Sequence, residues 1–517
     1  MPHELELKFQ VPRTDLLALE KSAWLRRLSR EAPENRKLVS VYYDTKDRAL
    51  RDREISFRVR RIGNQYLQTV KARASEALDR CEWENPISSG KPDRVCARHT
   101  ALKPFTDKKR WRELRPLFET NIRRTTIDAS VGDSRIELAL DHGTISAERR
   151  RMAVNEIELE LKEGSSADLI ALARKLQIRM PLALETNSKA ARGYALYDQA
   201  LADHRKASSI PLNDDLSTEA GFRAIAMACL AQIIANKNAV LRKDPEGIHQ
   251  MRVGLRRLRT ALSLFKSMID GPETKAIKDD LKWLSEQLGP ARDFDVLQGH
   301  SIKPMEVRRP DDPGLKALEE DVAARRATGF EQALRMVQGD RYRDIILKTG
   351  LWALGGKWTW SKDDLRTAQR KRPLPDSARD ILKARTAKVI KKLKKFDRMD
   401  DLNRHKLRIA VKKLRYAIGF FDALFLDHNK RRKDFAAALK QLQSALGRLN
   451  DIRVHGGFAN DVIRRSKRSP KSKARVVVRA YGLGQLTGRE RLDRKACLKE
   501  AGKAGKRFST LKPYWGP

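Results

Sequence analysis

The spacing of apolar residues changes once along this chain, and that change limits its fold more than any single motif does. From residue 1 to about 200, short runs alternate apolar and polar positions: HELELKFQV at 3–11, SVYYDT at 40–45, ISFRVRRI at 55–62, YLQTVKAR at 66–73, DRCEWENPI at 79–87, RTTIDAS at 124–130, SRIELALDHG at 134–143 and NEIELELKEG at 155–164. A period of two belongs to a pleated strand with one buried face. Beyond SSIPLNDD at 208–215 the apolar residues recur every three to four positions, as on an amphipathic helix, and strand signals nearly vanish.

The expected fold is therefore multidomain α+β: an N-terminal eight-stranded antiparallel β tunnel or barrel with flanking helices such as 165–177, then an all-α domain of two repeated helical bundles. With 517 residues, each part can bury its own core. The boundaries read as 1–205 for the strand domain, 206–217 for a linker and 218–510 for the helical domain, with repeats at about 218–370 and 375–510 separated near RKRPLPDS at 370–377. The stretch that begins RRSKRSPKSKAR at 464–475 is basic with scattered glycine and is expected to be in part a mobile tail.

The strands' polar faces are unlike ordinary solvent faces. Glu4, Glu6 and Lys8 share one side of the first run; Arg58 and Arg60 share one side of the third, and Thr69, Lys71 and Arg73 one side of the next. Arg80, Glu82 and Glu84 follow, then Arg135, Glu137 and Asp141, then Glu156, Glu158, Glu160 and Lys162. A sheet closed on itself could turn these faces inward around a wet lumen. Carboxylates suit hard divalent cations and Arg or Lys suits phosphate oxygens, so the mixture fits a metal-bound polyphosphate.

The formal charge is +42, from 109 Lys plus Arg against 67 Asp plus Glu. Residues 1–210 hold 41 basic and 31 acidic residues (+10), leaving 68 and 36 (+32) for 211–517. Such a field draws in polyanions, and charge alone does not choose between nucleic acid, anionic lipid and phosphate chains. The helical half repeats itself: IHQMRVGLRRLRTAL at 248–262 aligns with RHKLRIAVKKLRYAI at 404–418. His249, Arg252, Arg256, Arg257 and Arg259 thereby match His405, Arg408, Lys412, Lys413 and Arg415, and the i, i+3, i+7, i+10 spacing stacks His249, Arg252, Arg256 and Arg259, like His405, Arg408, Lys412 and Arg415, on one helix face. Downstream, LSEQLGPARDFDV at 284–296 aligns with LQSALGRLNDIRV at 442–454, so both copies carry an LG turn.

Cys81, Cys96, Cys229 and Cys497 are far apart, without metal-finger spacing, so neither a disulfide frame nor a structural metal is expected. No apolar run is read as reaching the ~18 residues that span a bilayer, and MPHELELKF lacks the features of a signal peptide. A reducing, cytoplasmic compartment is the resulting expectation.

The ordered set ELELK, YYDT, FRVRR, VKAR, EWE and EIELEL resembles the CYTH family of triphosphate tunnel metalloenzymes over roughly residues 1–205. The resemblance implies a tunnel that hydrolyses or cyclises triphosphates with Mg²⁺ or Mn²⁺. It implies that Glu4 and Glu6 hold metal with Glu156 and Glu158, with Glu160 as an alternative in that strand. Lys8, Arg58, Arg60, Lys71, Arg124 and Lys189 would line the phosphate path, and Glu82, Glu84, Glu137 and Asp141 would face the lumen as supporting groups or ligands of a second metal. Lys8 would orient the terminal phosphate.

The helical half, over about residues 218–510, resembles the CHAD domain. That implies a basic channel between two four-helix bundles, binding inorganic polyphosphate through the His249 and His405 motifs without catalysis of its own. The expected function is metal-dependent hydrolysis of inorganic triphosphate to pyrophosphate and phosphate, with no specific nucleic-acid partner and no membrane. Thiamine triphosphate, a nucleoside triphosphate, adenylate cyclisation and a non-catalytic polyphosphate- or nucleic-acid-binding role are the alternatives.

Overall fold

The alternating runs become nine strands in the computed structural model, which describes residues 5–28, 31–73, 80–201, 203–361, 363–427, 429–466 and 473–516. They are β1 (Leu5–Gln10), β2 (Glu34–Asp44), β3 (Ile55–Ile62), β4 (Gln65–Arg73), β5 (Arg80–Ile87), β6 (Arg115–Val131), β7 (Ser134–Ala147), β8 (Arg150–Glu163) and β9 (Ala183–Leu184). They form one antiparallel sheet in the order β5-β4-β3-β2-β6-β7-β8-β1-β9.

Eight strands were expected; the ninth, β9, is two residues long, too short to show any alternation, and adds to the free edge of β1 through Phe9↔Leu184 and Gln10↔Ala183. Among the described residues the backbone ladder stays open, ending at β5 and β9. β2 begins well before its sequence signal because its first four residues are exposed and carry no apolar alternation. Between β6 and β7 the chain reverses at Gly132, whose φ of +58° is a conformation L side chains rarely adopt.

Antiparallel partners point to the same side of a sheet, so the registers sort the side chains without further assumption. Leu7, Phe9, Ile127, Ile136, Leu138, Leu140, Ile157 and Leu159 share the back face and are all at most 2 % exposed. Helices Arg13–Glu20 and Ser166–Arg179 cover that face with Leu16, Leu19, Leu169, Leu172 and Leu176. Each such side chain contributes roughly 1.5–3 kcal/mol on burial.

The opposite face has an apolar floor and a charged remainder. Leu38, Tyr42, Phe118, Ile122, Ile145 and Val154 pack against Tyr194 and Leu196 of helix Lys189–Tyr197. This helix can lie so close only because residue 193 is glycine: a Cβ there would sit 2.1 Å from the Phe118 ring.

Contacts divide the chain into two compact units. One comprises the residues up to Arg205 with Leu230–Arg242 and Gly339–Ser361; the other comprises Lys206–Cys229, Lys243–Gln338 and the described residues from 363 onward.

In the second unit the sequence repeat becomes a repeat of helices. Pro245–Leu264 corresponds to Asp401–Phe421, and each is N-capped by an aspartate, Asp244 or Asp400, accepting from a backbone N–H of the first turn. Pro272–Gln287 and Gly289–Leu297 together correspond to Asn429–Ser466, a single helix. The second LG is thus not a turn. Leu288-Gly289 is followed by Pro290, which lacks an N–H and breaks the helix, whereas Leu446-Gly447 is followed by Arg448 and the helix continues.

Pro313–Gln338 corresponds to Lys473–Thr510, a helix within the stretch expected to be in part a mobile tail, of which residues 467–472 lie outside the described residues. Buried Leu483, Leu486, Cys497, Ala501 and Phe508 fall at helical spacing along that segment: Leu483 and Leu486 pack with Leu297, Leu315 and Leu318, and Phe508 meets Phe435 of Asn429–Ser466 edge-on at 5.0 Å. A second expectation also changes. The stretch Thr218–Leu241 contains an 18-residue window of mean hydropathy 1.5, long and apolar enough to cross a membrane by length and composition, and half of that window is buried in the fold.

Candidate active site

On the charged face of the sheet the registers set Lys8 beside Glu158, Glu6 beside Glu160, Glu160 beside Glu137, Glu156 beside Asp141, and Asp141 beside Arg124. Across the sheet the same face carries Tyr42 beside Arg58, Ser40 beside Arg60, Thr69 beside Glu84 and Lys71 beside Glu82. Every described strand residue assigned above to metal or phosphate therefore lies on one face. Glu4 lies outside the described residues.

The carboxylates converge on one spot. Oxygens of Asp141, Glu156 and Glu158 lie within 4.8 Å of one another, and Asp141 and Glu156 are fully buried. Helix Lys189–Tyr197, held by its Ser188 N-cap and by Gly193 against Phe118, drives two cations into them. Lys189 Nζ stands 2.7 Å from Asp141, 2.7 Å from Glu156 and 2.8 Å from Glu158, and Arg192 pairs with Glu156. Arg124 grips both Asp141 oxygens at 2.7 and 2.6 Å and also reaches Glu158, while Lys8 lies 3.1 Å from Glu158 and 3.5 Å from Glu6.

Burial alone would raise both carboxyls. For Asp141 the Arg124 hydrogen bond and Lys189 outweigh it, and for Glu158 the charges of Lys189, Lys8 and Arg124 do, so both sit below their ordinary values. Burial likewise opposes the charges of Lys189 and Arg124, yet their carboxylate partners hold both above the ordinary range. Asp141 and Glu158 are thus ionised, as are Lys189 and Arg124. An oxygen-only, converging donor set fits a hard divalent cation, and the ammonium already among these three carboxylates shows that they stabilise positive charge at that point.

Opposite them the balance tips towards cations. Arg58 lies 3.5 Å from the Tyr42 hydroxyl and only 3.9 Å from Glu82, and its buried Nε meets no acceptor among the described residues. Arg60 donates to Ser40 Oγ at 3.1 Å; burial and then the neighbouring Arg58 push it down to about 10. Burial raises Tyr42, but Arg58 and then Arg60 and Lys189 outweigh it, leaving the phenol below its ordinary value. Lys71 is more open and paired with Glu82 at 2.7 Å, Glu84 accepts from Thr69 at 3.4 Å, and Lys162 lies 2.6 Å from Glu160 and 3.7 Å from Glu137.

Reading the sequence missed Arg192 and Tyr42. Arg192 is three positions past Lys189, a helical spacing that puts both on one side, and this signal was available. Tyr42 sits in a run whose register cannot be read without its partner strand.

In the second unit the aligned cations separate into three groups and an exposed pair. Arg252 caps carbonyls at the helix break, donating to Leu288 O at 2.9 Å and Gly289 O at 2.6 Å, and lies 3.3 Å from Asp293. Arg257 and Lys413 turn into the packing between the two repeat helices: Arg257 stands over Phe420 at 5.5 Å and Lys413 donates to Ser263 at 3.0 Å. Since Lys413 aligns with Arg257 and Phe420 lies one position past the counterpart of Ser263, the repeat makes nearly the same contact twice.

Arg256, Arg408 and Lys412 form the third group: burial and then, among other charges, Arg256 lower both Arg408 and Lys412, and the Nε atoms of Arg256 and Arg408 meet no acceptor among the described residues. Arg259 and Arg415 are exposed, the latter 5.4 Å over Tyr416. Burial and then Arg292 push His249 down to about 4, whereas His405 pairs with Asn450 at 2.8 Å. Arg292 and Arg453, which press on these groups, lie outside the repeated motif.

Residues 2–194 match the CYTH domain family and residues 224–460 the CHAD domain family. The chain is 29% identical over 199 residues to an inorganic triphosphatase of Haemophilus influenzae, covering 38% of this chain and 55% of that protein. The alignment thus spans about half the length of that relative. Among solved structures, the CHAD domain from Ricinus communis is 31% identical, with a TM-score of 0.46 over 57% of this chain and 96% of that one. HpAC1 from Hippeastrum, described with a dominant triphosphatase activity, is 16% identical, with a TM-score of 0.29 over 37% of this chain and 96% of that one.

Proposed function

We propose that this chain, a CYTH domain followed by a CHAD domain, hydrolyses inorganic triphosphate on the charged face of its sheet and binds polyphosphate along its paired repeat helices. One observation carries the first part. A carboxylate cluster suited to a cation and an arginine pair with an unfilled donor occupy the same face, which matches the two charges of a metal triphosphate.

In this reading Arg58 and Arg60 bind phosphate oxygens and stabilise the charge that grows on them during transfer. Lys8, between Glu6 and Glu158, orients the terminal phosphate. Arg124 and Lys189 keep Asp141 and Glu158 ionised, and Lys189 and Arg192 hold Glu156 in place by ion pairs. Those three carboxylates, with Glu6 and Glu160, are the residues that would hold Mg²⁺ or Mn²⁺, whose chemistry is to cancel phosphate charge and acidify water. Water adds to the terminal phosphorus, the anhydride bond breaks, and pyrophosphate and phosphate leave.

The apolar floor formed by Tyr42, Phe118 and Tyr194 supports the small inorganic substrate over an organic triphosphate, because those rings pack on one another: Tyr42 and Phe118 stack at 4.6 Å and Tyr194 meets Phe118 edge-on at 5.2 Å. The test is phosphate release from tripolyphosphate, thiamine triphosphate, ATP and long-chain polyphosphate, each with Mg²⁺, Mn²⁺ or a chelator. Turnover of tripolyphosphate above the others, lost with chelator, supports the reading; preference for ATP or thiamine triphosphate moves the substrate, and no turnover of any removes the activity. For the helical half the supporting feature is the Arg256, Arg408 and Lys412 cluster, and salt-sensitive affinity for long-chain polyphosphate is its test.

A further inference from the structure

Resting on the reading of the helical half as a polyphosphate site, we propose that Lys412 couples binding there to the uptake of one proton, so that condensed phosphate is held more tightly below neutral pH than above it. The repeat itself singles this residue out. Lys412 aligns with Arg256, and each sits one position before a residue that packs between the paired helices Pro245–Leu264 and Asp401–Phe421, Arg257 over Phe420 and Lys413 on Ser263, which brings Arg256 near enough to press on Lys412. One copy thus carries a guanidinium, which stays charged at any physiological pH, and the other an ammonium, which can release its proton.

The surroundings favour release. Lys412 is half-buried, with Arg408 and Arg415 on its own helix and Arg256 on the facing one. Asp451, on helix Asn429–Ser466, opposes this by favouring the charged form of both Lys412 and Arg408. From helix Leu374–Leu393, Arg385 and Lys388 face Lys413 instead, so they bring Lys412 no relief. Burial, then Arg408 and Arg256, push Lys412 down to about 7. Near neutrality a large share of the free protein therefore lacks this proton.

A phosphate chain laid across the cluster reverses the balance, because each unit brings a negative charge within reach of all three cations. The ammonium form becomes the favoured one and the proton comes from solvent. His249, pushed down to about 4 among Arg292, Arg256, Arg252 and Glu246, would respond in the same direction but in more acid solution.

The experiment is titration calorimetry of the full-length protein with long-chain polyphosphate and chelator, in two buffers of different ionisation enthalpy, from pH 6 to pH 9. Long chains keep titrating end groups few. The expected result is net proton uptake on binding between pH 6 and pH 9, and an affinity that falls as the pH rises, towards tenfold per pH unit where uptake is complete. Lys412→Arg should bind without that uptake and without the slope; Lys412→Gln should bind more weakly at pH 6 and also lose the slope. Wild-type binding without proton uptake, or unchanged uptake in Lys412→Arg, overturns the proposal while leaving polyphosphate binding intact. Absence of binding at every pH overturns the polyphosphate reading, a different and separately recognisable result.

Discussion

The sheet face and the repeat-helix face both hold half-buried cations, but they neutralise them differently. On the sheet Lys8, Arg124, Lys189 and Arg192 are each matched to a carboxylate, and the same carboxylates are shared among several cations. On the helices Arg408 and Lys412 are lowered by burial and by neighbouring cations, Arg256 among them, and Asp451 offsets this only in part. An interleaved site is stable before its ligand arrives and is built to place charges. A like-charged site stores repulsion that a polyanion relieves.

The hardest blow to this contrast is Glu158→Gln. It removes the carboxylate shared by Lys8, Arg124 and Lys189, so phosphate release should fall by about 10²–10³-fold, while polyphosphate affinity in the helical half stays unchanged. Equal loss of both activities would mean the two faces do not act separately. Next is Arg124→Gln, which leaves buried Asp141 short of its bidentate partner and should cost about 3–5 kcal/mol in chemical denaturation of the strand unit. Its opposite is Arg256→Gln, which should leave stability unchanged or raise it while weakening polyphosphate about tenfold. If Arg256→Gln destabilises as much as Arg124→Gln, the contrast fails.

Gly193→Ala tests how the sheet site is assembled. Its new Cβ must displace the Phe118 ring or the helix that carries Lys189 and Arg192, costing about 1–3 kcal/mol and lowering turnover, read by thermal unfolding and phosphate release. The smallest effect expected is in pH dependence. Asp141 and Glu158 lie below their unfolded values, so the stability they give is full above the ordinary carboxylate range and is lost only as the pH falls through their lowered folded values. Lys412 is the reverse case: between about 7 and its unfolded value near 10.4 the unfolded chain binds more protons, so stability rises with pH there. Hydrogen exchange should show helix Asp401–Phe421 better protected at pH 9 than at pH 7 after correction for intrinsic rates, with the β7–β8 pair unchanged.

Much of the fold was legible because it rests on local periods. Leu5, Leu7 and Phe9 announce β1, and Ile157, Leu159 and Leu161 announce β8, with their carboxylates on the other side. The Arg252-to-Arg259 spacing and its echo from Arg408 to Arg415 announce two related helices. Where local signals were weak or misleading, the reading went astray. β9 is too short to have a period, the segment 473–510 hides its apolar stripe among basic residues, and the second LG looks like the first until Pro290 is weighed against Arg448.

Side-chain direction is a property of the pleat or the helical turn, so the residue order alone set Glu6, Lys8, Glu156 and Glu158 on the face opposite their apolar neighbours. Which charges satisfy which is a matter of register and docking. Arg124 meets Asp141 through the pairing of β6 with β7, and Lys189 meets three carboxylates because a glycine lets its helix close on Phe118. Arg257 and Lys413 share the motif of Arg256 and Lys412, yet helix packing sends the first pair inward and leaves the second in the cationic cluster. Coulomb partners are chosen by distance in space, and no local period encodes that distance.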